Sequence, residues 1–260
     1  MSRNQRTLLS WVEREVHRCR PTALRYFRSS GLRVERKPDR SPVTMADRAI
    51  EARLRRAIER AFPGETILGE EFGRSGHPAS SYWTIDPIDG TRAFSRGLPT
   101  WAVMVGKVEH GRAVLGLCDF PALNITMAVA PGLPAYEREG TVRRRLPNPR
   151  PITRLQEAVL LHGGIRWWPP RWRPRFHHLA ESCYLERSYG DCYGYLWALR
   201  GYVDAVIDYG VKIWDMVPLA ALAQATGRVM TDFSGHPCWT GPETIFASPR
   251  LASRISRILR

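Results

Sequence analysis

The sequence predicts a mixed fold with an α+β first half and an α/β second half. Two helical patterns precede five apolar runs typical of strands, at residues 66–69, 82–86, 100–108, 113–119 and 125–130. Further along, helical and strand patterns alternate, as they do in α/β domains. The chain has 260 residues, of which 43% are hydrophobic, so it can bury a sizeable core without disulfides. We place the division between the halves at 140/141, which gives segments 1–140 and 141–260.

The first predicted elements are two helices. Residues 5–30 are expected to form one basic helix, because apolar residues such as Trp11 recur at helical spacing until Gly31. A second helix is expected to begin near Thr44, because Asp47 stands three residues later in a variant of the capping box.

The middle of the chain has no clear period. Residues 131–180 are rich in Pro, Arg and Trp, and we expect loops there around one or two strands near 157–162. Beyond this region the pattern predicts a helix at 189–200, a strand at 203–208, a helix at 215–226 and a strand at 227–233.

The chain is strongly basic. It has 39 Lys and Arg against 25 Asp and Glu, a formal net charge of +14, which attracts phosphorylated metabolites, nucleic acid or a membrane surface alike. Its five cysteines include no C-x-x-C pair, which argues against a disulfide framework and a structural zinc site. Reduced thiols suit the cytoplasm, and no apolar run has the length of a signal peptide core or a membrane span. We therefore expect a cytoplasmic protein that makes no membrane contact.

The few acidic residues stand at the ends of apolar runs. Glu70 begins an acidic pair after the run at 66–69, Asp86 and Asp89 lie among Pro and Gly, and Asp215 follows an apolar segment. Each motif alone also fits a turn or the start of a helix. Together they suit a hard cation such as Mg²⁺, which prefers oxygen ligands, and no Cys or His stands within these motifs.

Four motifs in this order resemble the inositol monophosphatase superfamily. They are Lys37-Pro-Asp-Arg-Ser-Pro-Val-Thr-Met-Ala-Asp47, Leu68-Gly-Glu-Glu71, Asp86-Pro-Ile-Asp-Gly-Thr-Arg-Ala-Phe94 and Trp214-Asp-Met-Val-Pro218. The resemblance covers nearly all of residues 35–250. It implies a layered αβαβα sandwich, a small phosphorylated metabolite as substrate, two Mg²⁺ ions as cofactors and a homodimer.

The resemblance also implies the metal ligands. Glu70, Asp86 and the backbone carbonyl of Ile88 would hold the first ion, and Asp86, Asp89 and Asp215 the second. A third, weaker ion on Glu70 is left open. Two cations placed about 3.5–4 Å apart can neutralise a phosphate ester and activate the attacking water.

The catalytic residues implied are Thr91, Asp47 and Glu70. Thr91 and Asp47 would orient and deprotonate the water, since a hydroxyl can accept from water while donating to a carboxylate. Gly90, Thr91 and Arg92 are expected to open a short helix and bind phosphate. Arg92 either adds charge to the phosphate site or pairs with a neighbouring acid, and both alternatives stay open.

The substrate prediction comes from a further segment. Gly190-Asp-Cys-Tyr-Gly-Tyr195 resembles the corresponding part of histidinol-phosphate phosphatases of this superfamily. We therefore predict histidinol phosphate as the substrate, with Asp191, Asp208 and Lys212 around the leaving group, whose ammonium and imidazole can donate to carboxylates. Inositol phosphate or another small phosphate ester is the alternative substrate. For Asp191, the alternative role is a helix cap near Gly190.

A different class of function is suggested by the basic and aromatic stretch from Arg166 to Arg175. Its sequence, Arg-Trp-Trp-Pro-Pro-Arg-Trp-Arg-Pro-Arg, could stack on and neutralise single-stranded nucleic acid. Trp packed against Arg stems in a Pro-rich loop has the same composition. We predict that nucleic acid is not the ligand, because the acidic motifs favour an enzyme over a binding protein on a phosphatase scaffold.

Overall fold

The structure is a computed structural model that describes residues 3–38, 41–77 and 79–260. Asp39 and Arg40 of the first motif lie outside the described residues. The helices are α1 (Arg3–His17), α2 (Arg20–Tyr26), α3 (Met45–Ala61), α4 (Thr91–Ser95), α5 (Arg173–Ser182), α6 (Asp191–Leu199), α7 (Ile213–Ala225) and α8 (Pro249–Leu259). In the described ranges no helix combines the length and the apolar character that crossing a membrane requires.

The strands form two large sheets and one small hairpin. They are β1 (Val34–Arg36), β2 (Pro42–Thr44), β3 (Thr66–Gly69), β4 (Gly73–Ser75), β5 (Tyr82–Asp89), β6 (Ala102–Glu109), β7 (Arg112–Phe120), β8 (Ile125–Val129), β9 (Tyr136–Glu139), β10 (Val142–Arg145), β11 (Val159–His162), β12 (Leu185–Ser188), β13 (Ala205–Tyr209), β14 (Val229–Thr231) and β15 (Glu243–Ala247). The first sheet has the order β10-β9-β8-β7-β6-β5-β3-β4, the second sheet has the order β12-β11-β13-β15-β14, and β1 pairs with β2. The sheets change between Arg145 and Val159, whereas the division at 140/141 falls within the β9–β10 hairpin.

Three buried clusters show how helices and sheets alternate. In the first cluster, α1 and α3 pack on the outer face of the first sheet. In the second, α6 and α7 lie between the two sheets. In the third, α5 and α8 cover the far face of the second sheet. This helix–sheet–helix–sheet–helix order confirms the predicted sandwich.

The prediction of one continuous helix over residues 5–30 is wrong. Residues 5–30 form two helices, because Pro21 stands in the first turn of α2 and its ring cannot continue the helix that precedes it. The chain turns at Arg18 and Cys19, where the Cys19 amide donates to the Val16 carbonyl at 2.8 Å. The cap of α3 is as predicted, since the Thr44 amide donates to Asp47 Oδ2 at 2.8 Å.

The loops predicted for 131–180 are also wrong in part. The strand near 157–162 is present as β11, but β9, β10 and α5 lie in the same region. All four residues of β10 are exposed, so this edge strand is held by its backbone pairing with β9 and shows no apolar alternation. Helix α5 buries only Phe176 and Leu179, which leaves too few apolar positions to reveal a helical period.

Helix α7 lies very close to the first sheet. Gly106 and Gly116 are paired neighbours on β6 and β7, and neither position has room for a side chain. A Cβ at Gly116 would lie 2.1 Å from the Pro218 carbonyl oxygen, and one at Gly106 would lie 2.6 Å from Val217 Cγ1. The two glycines therefore form the groove that sets the depth of α7 in the molecule.

We predict that Gly116→Ala destabilises the protein. The added methyl group meets the α7 backbone, and overpacking of this kind costs about 1–3 kcal/mol. Thermal denaturation should show a clearly lower Tm than that of the wild type. Gly31→Ala is the matched control, because its Cβ would meet nothing closer than 3.8 Å. Equal melting temperatures for both variants would show that α7 tolerates displacement.

Candidate active site

The parallel pairing of β3 and β5 brings two of the acidic motifs together. Gly69 lies opposite Ile85 in this pair, and the Glu70 amide donates to the Ile85 carbonyl at 3.1 Å. Because parallel strands end at the same edge of a sheet, Glu70 is placed beside Asp86. The register of β5 shifts between Asp86 and Asp89, so the strand turns out of the sheet where it supplies its carboxylates.

Helix α7 supplies the third acidic motif. The Lys212 amide donates to Asp215 Oδ2 at 2.8 Å, which fixes the carboxylate in the first turn of the helix. Carboxylate oxygens of Asp86, Asp89 and Asp215 lie within 4.8 Å of one another. Asp86 and Asp215, which are 129 positions apart in the chain, thus meet in one cluster, as the motifs predict.

The electrostatics of this cluster favour a cation. Burial, followed by neighbouring negative charges, raises the pKa of Asp86 and of Asp89 well above the ordinary range. Burial also raises the pKa of Asp215 to about 7, although hydrogen bonds from Lys212 and Asp86 oppose that rise. Carboxyl groups that cannot all ionise together are a common feature of functional sites. Every ligand atom on offer is an oxygen, so the set fits a hard divalent cation such as Mg²⁺.

The cluster opens into a cleft of about 740 Å³ between the two sheets. All but one of the predicted site residues line this cleft, namely Glu70, Asp86, Ile88, Asp89, Gly90, Thr91, Arg92, Asp191, Asp208, Lys212 and Asp215. Asp47 is fully buried behind Thr91. The structure thus brings the predicted residues to one place, while their individual roles stay predictions.

Thr91 and Asp47 are arranged as a relay. The Thr91 hydroxyl lies 2.9 Å from the Ile88 carbonyl oxygen and 3.3 Å from Asp47 Oδ1, and it can donate to only one of them at a time. Burial raises the pKa of Asp47 to about 6, with Thr44 lowering it through hydrogen bonds and Glu70 raising it through its charge. Asp47 can therefore exchange a proton near neutral pH.

Gly90 and Arg92 open the short helix α4, as predicted. Gly90 has a left-handed φ of 82°, and a Cβ there would lie 3.0 Å from the Thr100 carbonyl oxygen and 3.3 Å from Asp191 Oδ2. Only glycine suits this position. The Arg92 guanidinium stacks on the Trp167 ring, 4.7 Å from the ring centroid.

Asp191 and Asp208 also line the cleft, with the Asp191 carboxylate next to Gly90. Asp191 begins α6 with φ of 54°, a conformation that Asp tolerates better than most residues. The N-cap residue of α6 is Gly190, Asp191 is the acid of its first turn, and no side-chain hydrogen bond caps this end of the helix. Asp208 is buried against Gly163, since a Cβ added to Gly163 would lie 2.3 Å from Asp208 Oδ1. Burial raises the pKa of Asp208 to about 7. Lys212 is exposed at the start of α7.

Three contributors to the site were missed at the sequence level. The Cys192 amide donates to Asp89 Oδ2 at 2.5 Å, and nothing in a sequence indicates a backbone donor 103 residues away. Lys37 Nζ lies 2.8 Å from Glu70 Oε1 and 2.6 Å from Glu71 Oε1, although its place in the first motif could have suggested a role. Trp167 follows Gly163-Gly164 at the end of an apolar run, a signal obscured by the basic residues around it.

Two of the three tryptophans between Arg166 and Arg175 belong to the core, although most of the other residues in this stretch are exposed. Trp168 and Trp172 are buried with Phe233 in the third cluster, with ring centroids 5.0 and 5.4 Å from that phenylalanine. Neither indole can stack on a base. Trp167 alone among these three indoles is exposed, at 55%, and its ring faces Arg92.

Comparisons with known proteins agree with this geometry. The model of the inositol monophosphatase family matches residues 7–260. A histidinol-phosphatase of Mycobacterium tuberculosis is 34% identical over 80% of this chain and 81% of its own length. The inositol-1-monophosphatase ImpA of Mycolicibacterium smegmatis is 30% identical over 86% of this chain and 82% of its own length.

Solved structures show the same fold. An inositol monophosphatase from Zymomonas mobilis superposes with a TM-score of 0.86 at 26% identity, covering 100% of this chain and 99% of its own. An IMPase/NADP phosphatase complexed with Mg²⁺ and phosphate superposes with a TM-score of 0.80 at 18% identity, covering 98% and 94%. The chain therefore belongs to the inositol monophosphatase family and is a phosphoric monoester hydrolase of that family.

Proposed function

We propose that the protein is a Mg²⁺-dependent phosphatase that hydrolyses histidinol phosphate to histidinol and phosphate. The observation that carries this proposal is the pairing of two acidic groups in one cleft. The cluster of Asp86, Asp89 and Asp215 suits cations that bind the phosphate, and Asp191 and Asp208 in the same cleft suit a leaving group that is itself a cation. The likeness to the M. tuberculosis histidinol-phosphatase supports the substrate.

The residues that would bind the metal ions belong to the acidic cluster or lie beside it. Glu70, Asp86 and the Ile88 carbonyl would hold one Mg²⁺, and Asp86, Asp89 and Asp215 a second. A third ion on Glu70 would displace the Lys37 ammonium that pairs with it. Bound ions supply charge neutralisation and a lowered pKa for water at the reacting phosphate.

Thr91 and Asp47 would handle the proton of the attacking water. The Thr91 hydroxyl donates to Asp47 Oδ1, which leaves its lone pairs to accept a hydrogen bond from the water. Asp47 accepts the proton that the water loses. Gly90 lets the phosphate approach the backbone at the start of α4, and Arg92 lies beside it with its charge towards the cleft.

The leaving group would bind between Asp191 and Asp208. Part of the Asp208 carboxylate is occupied, because Oδ1 accepts from the Tyr209 amide at 2.7 Å. The Asp191 carboxylate has no hydrogen bond or ion pair with any described residue. Asp191 is therefore the better acceptor for the ammonium or imidazole of histidinol. Lys212 lies exposed at the rim of the cleft.

Inositol phosphate is the second candidate substrate. The M. smegmatis relative is named an inositol-1-monophosphatase, and Asp208 could accept from a sugar hydroxyl as well as from an ammonium. The charge on Asp191 favours the cationic leaving group over the neutral one. Side-by-side kinetics on the two phosphate esters would decide between them.

We also infer a cytoplasmic homodimer. All five cysteines are free, which suits a reducing compartment, and the dimer rests on the family resemblance. The burial of Trp168 and Trp172 supports a metabolite over nucleic acid as the ligand.

We predict that Asp89→Asn abolishes both activity and the stabilisation by Mg²⁺. In the metal-free protein the variant should melt at a higher temperature than the wild type, because it removes one of several repelling charges. Added Mg²⁺ should raise the Tm of the wild type and leave that of the variant almost unchanged. Glu181→Gln, an exposed change on α5, is the control. A chelator-treated wild type with full activity would contradict the proposal.

We predict that Thr91→Ala lowers kcat far more than it raises KM, because the contact of Thr91 with water strengthens towards the transition state. Thr91→Ser keeps the hydroxyl and should retain most of the activity. Steady-state kinetics of both variants test the role. A higher KM with an unchanged kcat would make Thr91 a binding residue.

We predict that Asp191→Asn reduces kcat/KM for histidinol phosphate about 10-fold or more, since a hydrogen bond to a charged group contributes about 1.5–3 kcal/mol. Asn accepts the left-handed backbone of this position, so the fold should be unaffected. Hydrolysis of inositol 1-phosphate, which has an uncharged leaving group, serves as the control and should change little. Equal losses on both esters would give Asp191 a purely structural role.

A further inference from the structure

The Arg92 side chain has two possible partners in the cleft, the Trp167 ring and the Asp191 carboxylate. Its charge lowers the pKa of Asp191 against the effect of burial, so the two groups are electrostatically coupled. Among the described residues, however, no ion pair joins Arg92 to Asp191, and the guanidinium lies over the indole instead, at 4.7 Å. An arginine near an unpaired carboxylate would ordinarily be expected to pair with it.

Several contacts position the Trp167 ring next to Arg92. It ends the short turn Ile165–Trp167, where its amide donates to the Gly164 carbonyl at 3.0 Å. The indole lies against Gly164, since a Cβ there would be 3.0 Å from Trp167 Cδ1. The ring is 55% exposed and lines the cleft. It belongs to the second half of the chain, whereas Arg92 follows Thr91 in the first, so their contact spans the cleft.

Resting on the proposed function, we propose that Trp167 is a positioning residue that holds the Arg92 guanidinium away from Asp191. The stacked guanidinium keeps its charge near the phosphate side of the cleft, and the Asp191 carboxylate stays free for the cationic leaving group. Without the indole, Arg92 would turn to Asp191 and compete with the substrate. A cation over an exposed aromatic ring contributes about as much as an exposed ion pair, so loss of the ring shifts the balance to the carboxylate.

The test compares Trp167→Ala and Trp167→Phe on histidinol phosphate and inositol 1-phosphate. Trp167→Ala should raise KM for histidinol phosphate about 5-fold, the size of effect that an exposed ion pair gives. Its kcat on that ester should stay near the wild-type value, and its KM for inositol 1-phosphate should rise less, because that ester loses only the Arg92 charge near the phosphate. Trp167→Phe keeps an aromatic face for the guanidinium and should restore most of the lost affinity.

The same substitution in an Arg92→Leu background completes a double-mutant cycle. There Trp167→Ala should no longer change the preference between the two esters, because the Arg92 guanidinium is no longer present to compete. A selective rise in KM that persists without Arg92 would overturn the inference, as Trp167 would then contact the leaving group directly. An equal rise on both esters would also overturn it, since the indole would then be only a wall of the cleft. A wild type inactive on histidinol phosphate but active on inositol 1-phosphate would instead refute the proposed substrate.

Discussion

The mutual repulsion of buried carboxylates is the constraint on which this structure depends. In each acid of the cluster, one carboxylate oxygen accepts a hydrogen bond from a backbone amide. Asp86 accepts from Ile88 at 3.0 Å, Asp89 from Cys192 at 2.5 Å and Asp215 from Lys212 at 2.8 Å. Backbone donors stabilise the negative charge without neutralising it, while the Asp86 and Asp215 carboxyl groups also hydrogen-bond to each other. The result is a set of acids that is held in place and still needs a cation.

These amides come from different parts of the chain, so the site couples the two halves. Cys192 lies in the first turn of α6 and Lys212 at the start of α7, and both helices pack between the sheets. The depth of α7 is set by glycines of the first sheet. A disturbance at β6 or β7 would therefore reach Asp215 through α7, so the packing of the core and the geometry of the site are linked.

Much of this arrangement could be predicted from the sequence, because it depends on local patterns. The cap of α3, the strands of the first sheet and the acidic motifs all follow from residues close together in the chain. The break between α1 and α2 could have been predicted from Pro21 alone. The contacts of α7 with Gly116, of Cys192 with Asp89 and of Trp167 with Arg92 could not, because each joins residues of different elements. The arginines around Trp168 and Trp172 are typical of an exposed surface, yet both indoles are buried in the core.

The distribution of charge explains how a protein of net charge +14 can have an acidic site. Glu70 and five aspartates line the cleft, against three basic residues: Lys212 at its rim, Lys37 paired with Glu70 and Glu71, and Arg92 over the Trp167 ring. The net positive charge attracts phosphate esters from a distance. In the proposed reaction the phosphate would require cations beside Asp86, and the leaving group would meet the carboxylate of Asp191. Gly90 follows Asp89 of the metal cluster and lies next to Asp191. A side chain at Gly90 would meet both the Thr100 carbonyl and the Asp191 carboxylate. Because glycine has no side chain, a single small substrate would be able to reach the metal cluster and Asp191 at once.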